Sequence, residues 1–169
     1  MGRYPLDVCG WGPAMSYLVW ARTDDEALLM CQALASAIPH VGEGESFGPA
    51  QFAAVAGTDN KLKAIVAFHD YQPDYGTIQC SCASFAPMWA RPHIIRELFG
   101  YVFGHLGCQK FWVSIPSDNE PAIKFNRSLG LTREAVLRHH YGRNRHAVIM
   151  SMIKSEWERH RYFNGKKSP

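Results

Sequence analysis

Phe99–Leu131, FGYVFGHLGCQKFWVSIPSDNEPAIKFNRSLGL, is the most informative stretch of the chain for its architecture. Its first residues finish an amphipathic helix, and Gly107 is placed to stop it in the left-handed conformation that glycine adopts without strain. Phe111-Trp112-Val113-Ser114-Ile115 is a compact apolar run between polar flanks, the pattern of a strand buried on both faces. Asp118 or Asn119 then caps a second helix, which buries Ala122, Phe125 and Leu129 before Gly130 closes it.

Toward the amino terminus, Pro92 opens the first of these helices, where a proline loses no hydrogen bond. Ile94, Ile95, Leu98, Tyr101, Val102 and Leu106 form its buried stripe. Before it the chain alternates short apolar runs with turns. Tyr17–Ala21 reads as a strand, and Thr23 or Asp24 caps a helix with Asp25 and Glu26 in its first turn. That helix ends at Pro39, and a polar loop follows at 41–46. Phe52–Ala56 and Leu62–Phe68 form a hairpin about Gly57–Asn60, His69–Asp74 reads as the next turn, and Tyr75–Phe85 as the strand after it. Downstream of the opening stretch, Leu131–His140 and His146–Ile153 form a hairpin around Gly142-Arg143-Asn144.

At 169 residues, 47% hydrophobic and 20% charged, the chain suits a single globular domain, 1–169, with a proper core. Residues 1–14 read as an arm across it and residues 155–169 as a polar, basic tail with at most one helical turn. No apolar run approaches the roughly 20 residues of a membrane span, and no leader-like segment opens the sequence. Five cysteines, Cys9, Cys31, Cys80, Cys82 and Cys108, are scattered through apolar segments, which favours reduced core thiols over a disulfide framework. These features predict a cytoplasmic protein. The net charge of +3 is uneven: residues 131–169 carry nine Lys/Arg against three Asp/Glu, so the first 130 residues are net −3. A basic end on a mildly acidic body suits phosphate-rich ligands or nucleic acid, or is simply a solvated surface.

The order strand, helix, three antiparallel strands, helix, strand, helix, two strands, with Asn119, Ala122 and Leu129-Gly130-Leu131 at set spacings after a strand, resembles the GNAT (GCN5-related N-acetyltransferase) superfamily over residues 15–153. The family's second early helix is reduced here to the loop at 39–50. The ending LGL-REA-LR with VIMSMI is similar to ribosomal-protein-type acetyltransferases. AFHDYQPDYGTIQCSCAS followed by MWARPHIIREL is similar to GNAT proteins common in phages and prophages. The resemblance implies an α/β (α+β) fold with a mixed, mostly antiparallel sheet of about six to seven strands, flanked by helices and splayed between strands four and five. It also implies acetyl-CoA as co-substrate, lying in that splay. The pantetheine arm would pair with the fourth strand, here Gly76–Phe85, and the pyrophosphate would sit at the start of the following helix, where unpaired N–H groups meet an anion. The cofactor contacts so implied are Phe85, Ala86, Met88, Trp89, Arg91, His93, Ile94, Asn119 and Asn126.

Two departures stand out. The phosphate turn, Trp89-Ala90-Arg91-Pro92-His93-Ile94, has no glycine, and its proline donates no hydrogen bond, so Arg91, His93 or Arg96 would supply charge instead. Asn126 stands where many GNAT enzymes carry the tyrosine that protonates the departing thiolate, and asparagine is not an acid.

Acetyl transfer to an amine needs a base, a polarised carbonyl and close approach. His69, Asp70 and Tyr71 put an imidazole, a carboxylate and a phenol within three residues and are the candidate catalytic groups, or merely a polar turn. Ser84, near the expected acetyl group, is a candidate contact, and backbone N–H groups around Ser84–Ala86 would act as an oxyanion hole. His139-His140-Tyr141 forms a second cluster beside the closing hairpin. Cys80 and Cys82 share a strand face, but no metal-ligand spacing accompanies them, so no metal is expected. The acceptor amine stays open among protein, small molecule and nucleobase, and the chain is expected to be a monomer or homodimer. The competing readings are a phage-type nucleobase- or DNA-modifying acyltransferase and a non-catalytic CoA-binding module, which the missing glycines and tyrosine favour.

Overall fold

A computed structural model describes residues 15–39 and 46–163. The arm at 1–14, the loop at 41–46 except Ser46, and the tail from 164 lie outside the described residues. The strands are β1 (Ser16–Trp20), β2 (Gln51–Gly57), β3 (Leu62–Gln72), β4 (Thr77–Ser84), β5 (Lys110–Pro116), β6 (Thr132–Leu137) and β7 (Ala147–Ile153). The helices are α1 (Asp24–Ala37), α2 (Pro92–Phe99), α3 (Glu120–Ser128) and α4 (Lys154–Glu158). The strands form one sheet in the order β1-β2-β3-β4-β5-β7-β6, antiparallel throughout except for the β4–β5 pair. This is the predicted order of elements and the predicted mixed sheet.

Local chemistry accounts for the helix ends. Thr23 Oγ1 accepts the Glu26 N–H while Glu26 accepts the Thr23 N–H, a complete capping box at α1. Asn119 Oδ1 accepts the Ala122 N–H at 3.2 Å and caps α3. α2 is shorter than its periodicity predicts. From Gly100 to His105 the chain continues as a π-helical turn, and Gly107 ends it at φ 68°.

The core lies on both faces of the sheet. On one, Val66, Phe68, Phe111, Val113 and Met150 pack against Ile94, Ile95 and Leu98 of α2 and Ile123 of α3. On the other, Phe52, Ala54, Ile65 and Ala67 pack beneath Leu34 of α1. β3 is therefore buried on both sides from Ala64 to Phe68, which explains its unbroken apolar run.

The structure corrects two boundaries. His69, Asp70 and Tyr71 lie within β3 and not in a loop: His69 pairs with Gln79 and Gln72 with Thr77, and Asp70 and Tyr71 form the bulge between these pairs. Asp70 takes φ 49° to make that bulge. The segment after β7 also departs from a wholly polar tail. Trp157 of α4 is 2% exposed and packs on Phe99 with ring centroids 4.9 Å apart, so the tail begins as part of the core. Among the described residues no helix is long and apolar enough to cross a membrane.

Candidate active site

β4 and β5 are bridged only at their first residues, Thr77 with Lys110, Ile78 with Phe111 and Gln79 with Trp112. Beyond Gln79 they diverge, while β4 runs on to Ser84 and β5 to Pro116. The expected splay is therefore present. It opens a cleft of about 1450 Å³, lined by the free parts of both strands, the turn 85–92 and the first turns of α3.

Backbone direction inside the fork follows from one hydrogen bond. Phe85 N–H donates to the Lys63 carbonyl at 2.8 Å, so the main chain of Phe85, Ala83 and Ser81 faces β3. Main-chain groups alternate along a strand, which turns those of Cys80, Cys82 and Ser84 toward the gap left by β5. That gap offers an extended ligand a ready edge to pair with. The same geometry corrects the oxyanion expectation. Phe85 and Ala86 N–H both donate to Lys63, at 2.8 and 3.2 Å, because the strand end wraps over that carbonyl; of the three expected donors, Ser84 N–H is the one that faces the gap.

Of the residues expected to contact a cofactor, Phe85, Ala86, Met88, Trp89, Arg91, Asn119 and Asn126 line the cleft, as does Ser84. Trp89 is nearly buried and packs on Phe125 at 5.5 Å, forming a wall. Met88 is exposed at φ 60°. Asn126 Nδ2 donates to the Ala122 carbonyl at 2.9 Å, which fixes the amide along α3.

The side chains of His93 and Ile94 do not line the cleft. His93 is exposed and its Nε2 bonds the Ser16 carbonyl at 2.7 Å, whereas Ile94 is fully buried in the core on the face that α2 turns to the sheet. Their backbone is another matter. α2 starts at Pro92 with no side-chain cap, and its first intrahelical bond runs from Ile95 N–H to the Arg91 carbonyl. The N–H groups of His93 and Ile94 are thus the donors at this helix start, beside the cleft-lining Arg91.

The candidate catalytic trio is split. Tyr71 lies off the cleft, its Oη reaching the Leu106 carbonyl at 3.4 Å. Asp70 is exposed, and its Oδ2 stands 3.1 Å from His69 Nδ1. His69 is 7% exposed on the α1 face, its ring 5.5 Å from Phe47. Burial lowers its pKa below the ordinary histidine value, and the Asp70 carboxylate opposes that in part. Its Nε2 lies 2.9 Å from Ser81 Oγ, and Ser81 lines the cleft. The sequence reading missed Ser81. The signal was present in the hairpin register, since a partner two residues beyond Gln79 shares the face of His69.

His139 and His146 serve the β6–β7 connection. His139 Nδ1 accepts the Asn144 N–H at 2.9 Å, and His146 Nδ1 accepts the His139 N–H at 3.0 Å. Tyr141 Oη donates to Ser114 at the cleft wall, 2.8 Å from its Oγ, and burial pushes the phenol pKa up. At the far rim Arg145 pairs with Asp118, Nε to Oδ2 at 3.0 Å. Among the described residues no three His, Cys, Asp or Glu side chains converge as metal ligands would.

No family model and no curated sequence matches the chain. Solved structures do. A point mutant of the spermidine N-acetyltransferase SpeG from Vibrio cholerae is 15% identical over 90% of this chain and 98% of that one, with a TM-score of 0.66. The dodecameric form of the Vibrio cholerae spermidine N-acetyltransferase in an intermediate state is 15% identical over 83% and 95%, with a TM-score of 0.64. A provisionally named acetyltransferase is 21% identical over 72% of this chain and 65% of that one, with a TM-score of 0.61. The strand order, the splay between β4 and β5 and these likenesses give one result: the chain has the GNAT acetyltransferase fold.

Proposed function

We infer that the protein is an acetyl-CoA-dependent N-acetyltransferase, in which an amine attacks the thioester carbonyl directly. The observation that carries this reading is the coincidence, in one cleft, of the outward-facing β4 backbone at Cys80, Cys82 and Ser84 with the uncapped start of α2. The two features fit the two ends of one ligand. An extended pantetheine arm adds to the open edge of β4, and the pyrophosphate meets the N–H groups of His93 and Ile94 with Arg91 beside them. Here the helix start and an arginine stand in for the glycine-rich turn.

Trp89, Phe85 and Met88 wall the arm, and Asn119 and Asn126 face it from α3. The thioester carbonyl then lies along the open part of β4, where the outward-facing Cys82 N–H polarises it. His69 supplies the base, and the nitrogen's attack expels CoA as a thiolate. The acceptor is an amine.

Native mass spectrometry of the freshly purified protein tests the cofactor, with bound CoA or acetyl-CoA as the expected result. Thiol release from acetyl-CoA against a panel of amines tests the chemistry. No binding of CoA or acetyl-CoA by calorimetry at millimolar concentration would remove the reading.

A further inference from the structure

His69 cannot itself be the group that meets the acceptor, because its ring lies buried on the α1 face and does not line the cleft. What joins it to the cleft is Ser81, two residues beyond Gln79, the last point at which β4 is bridged to β5. Asp70 Oδ2, His69 Nδ1, His69 Nε2 and Ser81 Oγ form a continuous chain with steps of 3.1 and 2.9 Å. Its outer carboxylate is solvated, its middle is buried, and its inner hydroxyl belongs to a residue that lines the cleft.

The backbone is shaped to hold this chain. Asp70 occupies the left-handed region at φ 49° within the bulge, a conformation that costs an aspartate little but is uncommon in a strand. The antiparallel register pairs His69 with Gln79 and thereby sets Ser81 on the imidazole's face.

We propose that Ser81, His69 and Asp70 form a proton relay that deprotonates the acceptor amine at the fork. The proposal rests on the acetyl-transfer reading and deepens it by naming the group that touches the acceptor. As the nitrogen lone pair adds to the thioester carbon, the nitrogen's proton passes to Ser81 Oγ while the Ser81 proton passes to His69 Nε2. The imidazolium so formed is held by the Asp70 carboxylate. The C–S bond then breaks, the sulfur leaves with the electron pair as CoA thiolate, and His69 returns its proton to solvent through Ser81. Ser81 is the catalytic group here, whereas His69 and Asp70 act through it.

The lowered His69 pKa agrees with this role, since a neutral imidazole at neutral pH is ready to accept. The groups facing the ring are Asp70 on its own strand, Ser81 from β4 and Phe47 from the segment before β2, while α1 packs over this face with Leu34, Met30 and Cys31. Asp70 is the charged group in contact with it. The relay has a fixed polarity. It requires the proton on Nδ1, directed at Asp70, and a bare Nε2 that accepts from Ser81.

Two measurements test it. Nitrogen-15 NMR of the imidazole in the full-length protein needs no acceptor, and the expected result is the Nδ1–H tautomer. An Nε2–H tautomer overturns the relay, because that nitrogen would be donating to Ser81. Thiol release from acetyl-CoA is then measured with spermidine, phenethylamine and a peptide bearing a free amino terminus. Ser81→Ala, an almost isosteric change, is expected to lower kcat by about a hundredfold or more while leaving the KM for acetyl-CoA unchanged. Ser81→Thr, which keeps the hydroxyl, is expected to recover part of that loss, and Asp70→Asn to flatten the acidic limb of the pH profile. A Ser81→Ala protein as active as the parent overturns the relay alone. An acetylated Ser81 in the intact mass, without amine, replaces the relay with a nucleophile. A parent protein that releases no thiol with any of the three amines removes the acetyl-transfer reading, and this role with it.

Discussion

Gly76 and Gln109 meet at the closed end of the fork. The Gly76 carbonyl accepts the Gln109 N–H at 2.7 Å and the Lys110 N–H at 3.0 Å, which sets the first rung of the β4–β5 pair. Everything the cleft does depends on where that rung is placed, because the strands stay joined for only three residue pairs beyond it.

Gly76 sits at φ 62°, and a β-carbon there would stand 3.2 Å from the Gln109 backbone nitrogen. Gly76→Ala therefore meets both left-handed strain and a contact with backbone that cannot swing away. The expected loss is about 1–2 kcal/mol of unfolding free energy from the backbone conformation. Denaturant titration measures it, and calorimetry with CoA is expected to show weaker binding by the same protein as the fork shifts.

Arg91 is the cation beside the start of α2 on the cleft side. Removing one charge-assisted hydrogen bond to a phosphate costs about 1.5–3 kcal/mol, so Arg91→Ala is expected to weaken CoA binding roughly 10- to 100-fold. The deficit is expected to shrink as salt rises, since salt screens the parent's advantage. Equal affinity of the two proteins at low salt would place the pyrophosphate elsewhere.

His69 makes stability depend on pH. Its pKa is lower in the folded chain than the ordinary 6.5, so between those values the unfolded chain binds the extra proton. Stability is then fully present above pH 6.5 and falls with pH until the lowered native value is passed. His69→Gln is expected to remove this segment of the profile. Urea midpoints measured at closely spaced pH on both proteins give the comparison, and parallel curves through this window would contradict the assignment.

Leu34 is the fully buried side chain through which α1 closes the second face of the sheet. Leu34→Ala is expected to cost about 2–5 kcal/mol, since the wall formed by Phe52, Ile65 and Ala67 cannot collapse into the space. The cleft lies mainly on the opposite face, so CoA binding by the folded fraction is expected to change little. Thermal unfolding followed by circular dichroism, with calorimetry alongside, separates the two effects.

The architecture was legible in the residues alone. Periodicity, caps and glycine stops are local, and they marked the order of elements from β1 to β7, the Thr23 and Asn119 helix starts and the stop at Gly107. The resemblance to the GNAT family, mapped onto those elements, also pointed to Ser84, Trp89, Arg91, Asn119 and Asn126, and all five line the cleft. Which polar groups stand together emerged only from the packed fold. His69, Asp70 and Tyr71 are neighbours in sequence, yet the bulge sends Tyr71 toward Leu106 and buries His69 against Ser81, twelve residues away. His93 and Ile94 likewise keep their place at the helix start, while the Ile94 side chain turns into the core and the exposed His93 ring reaches across to the Ser16 carbonyl. A strand's register and the face a residue presents are set by pairing with a distant segment, and no local pattern encodes the atom that waits on the other strand.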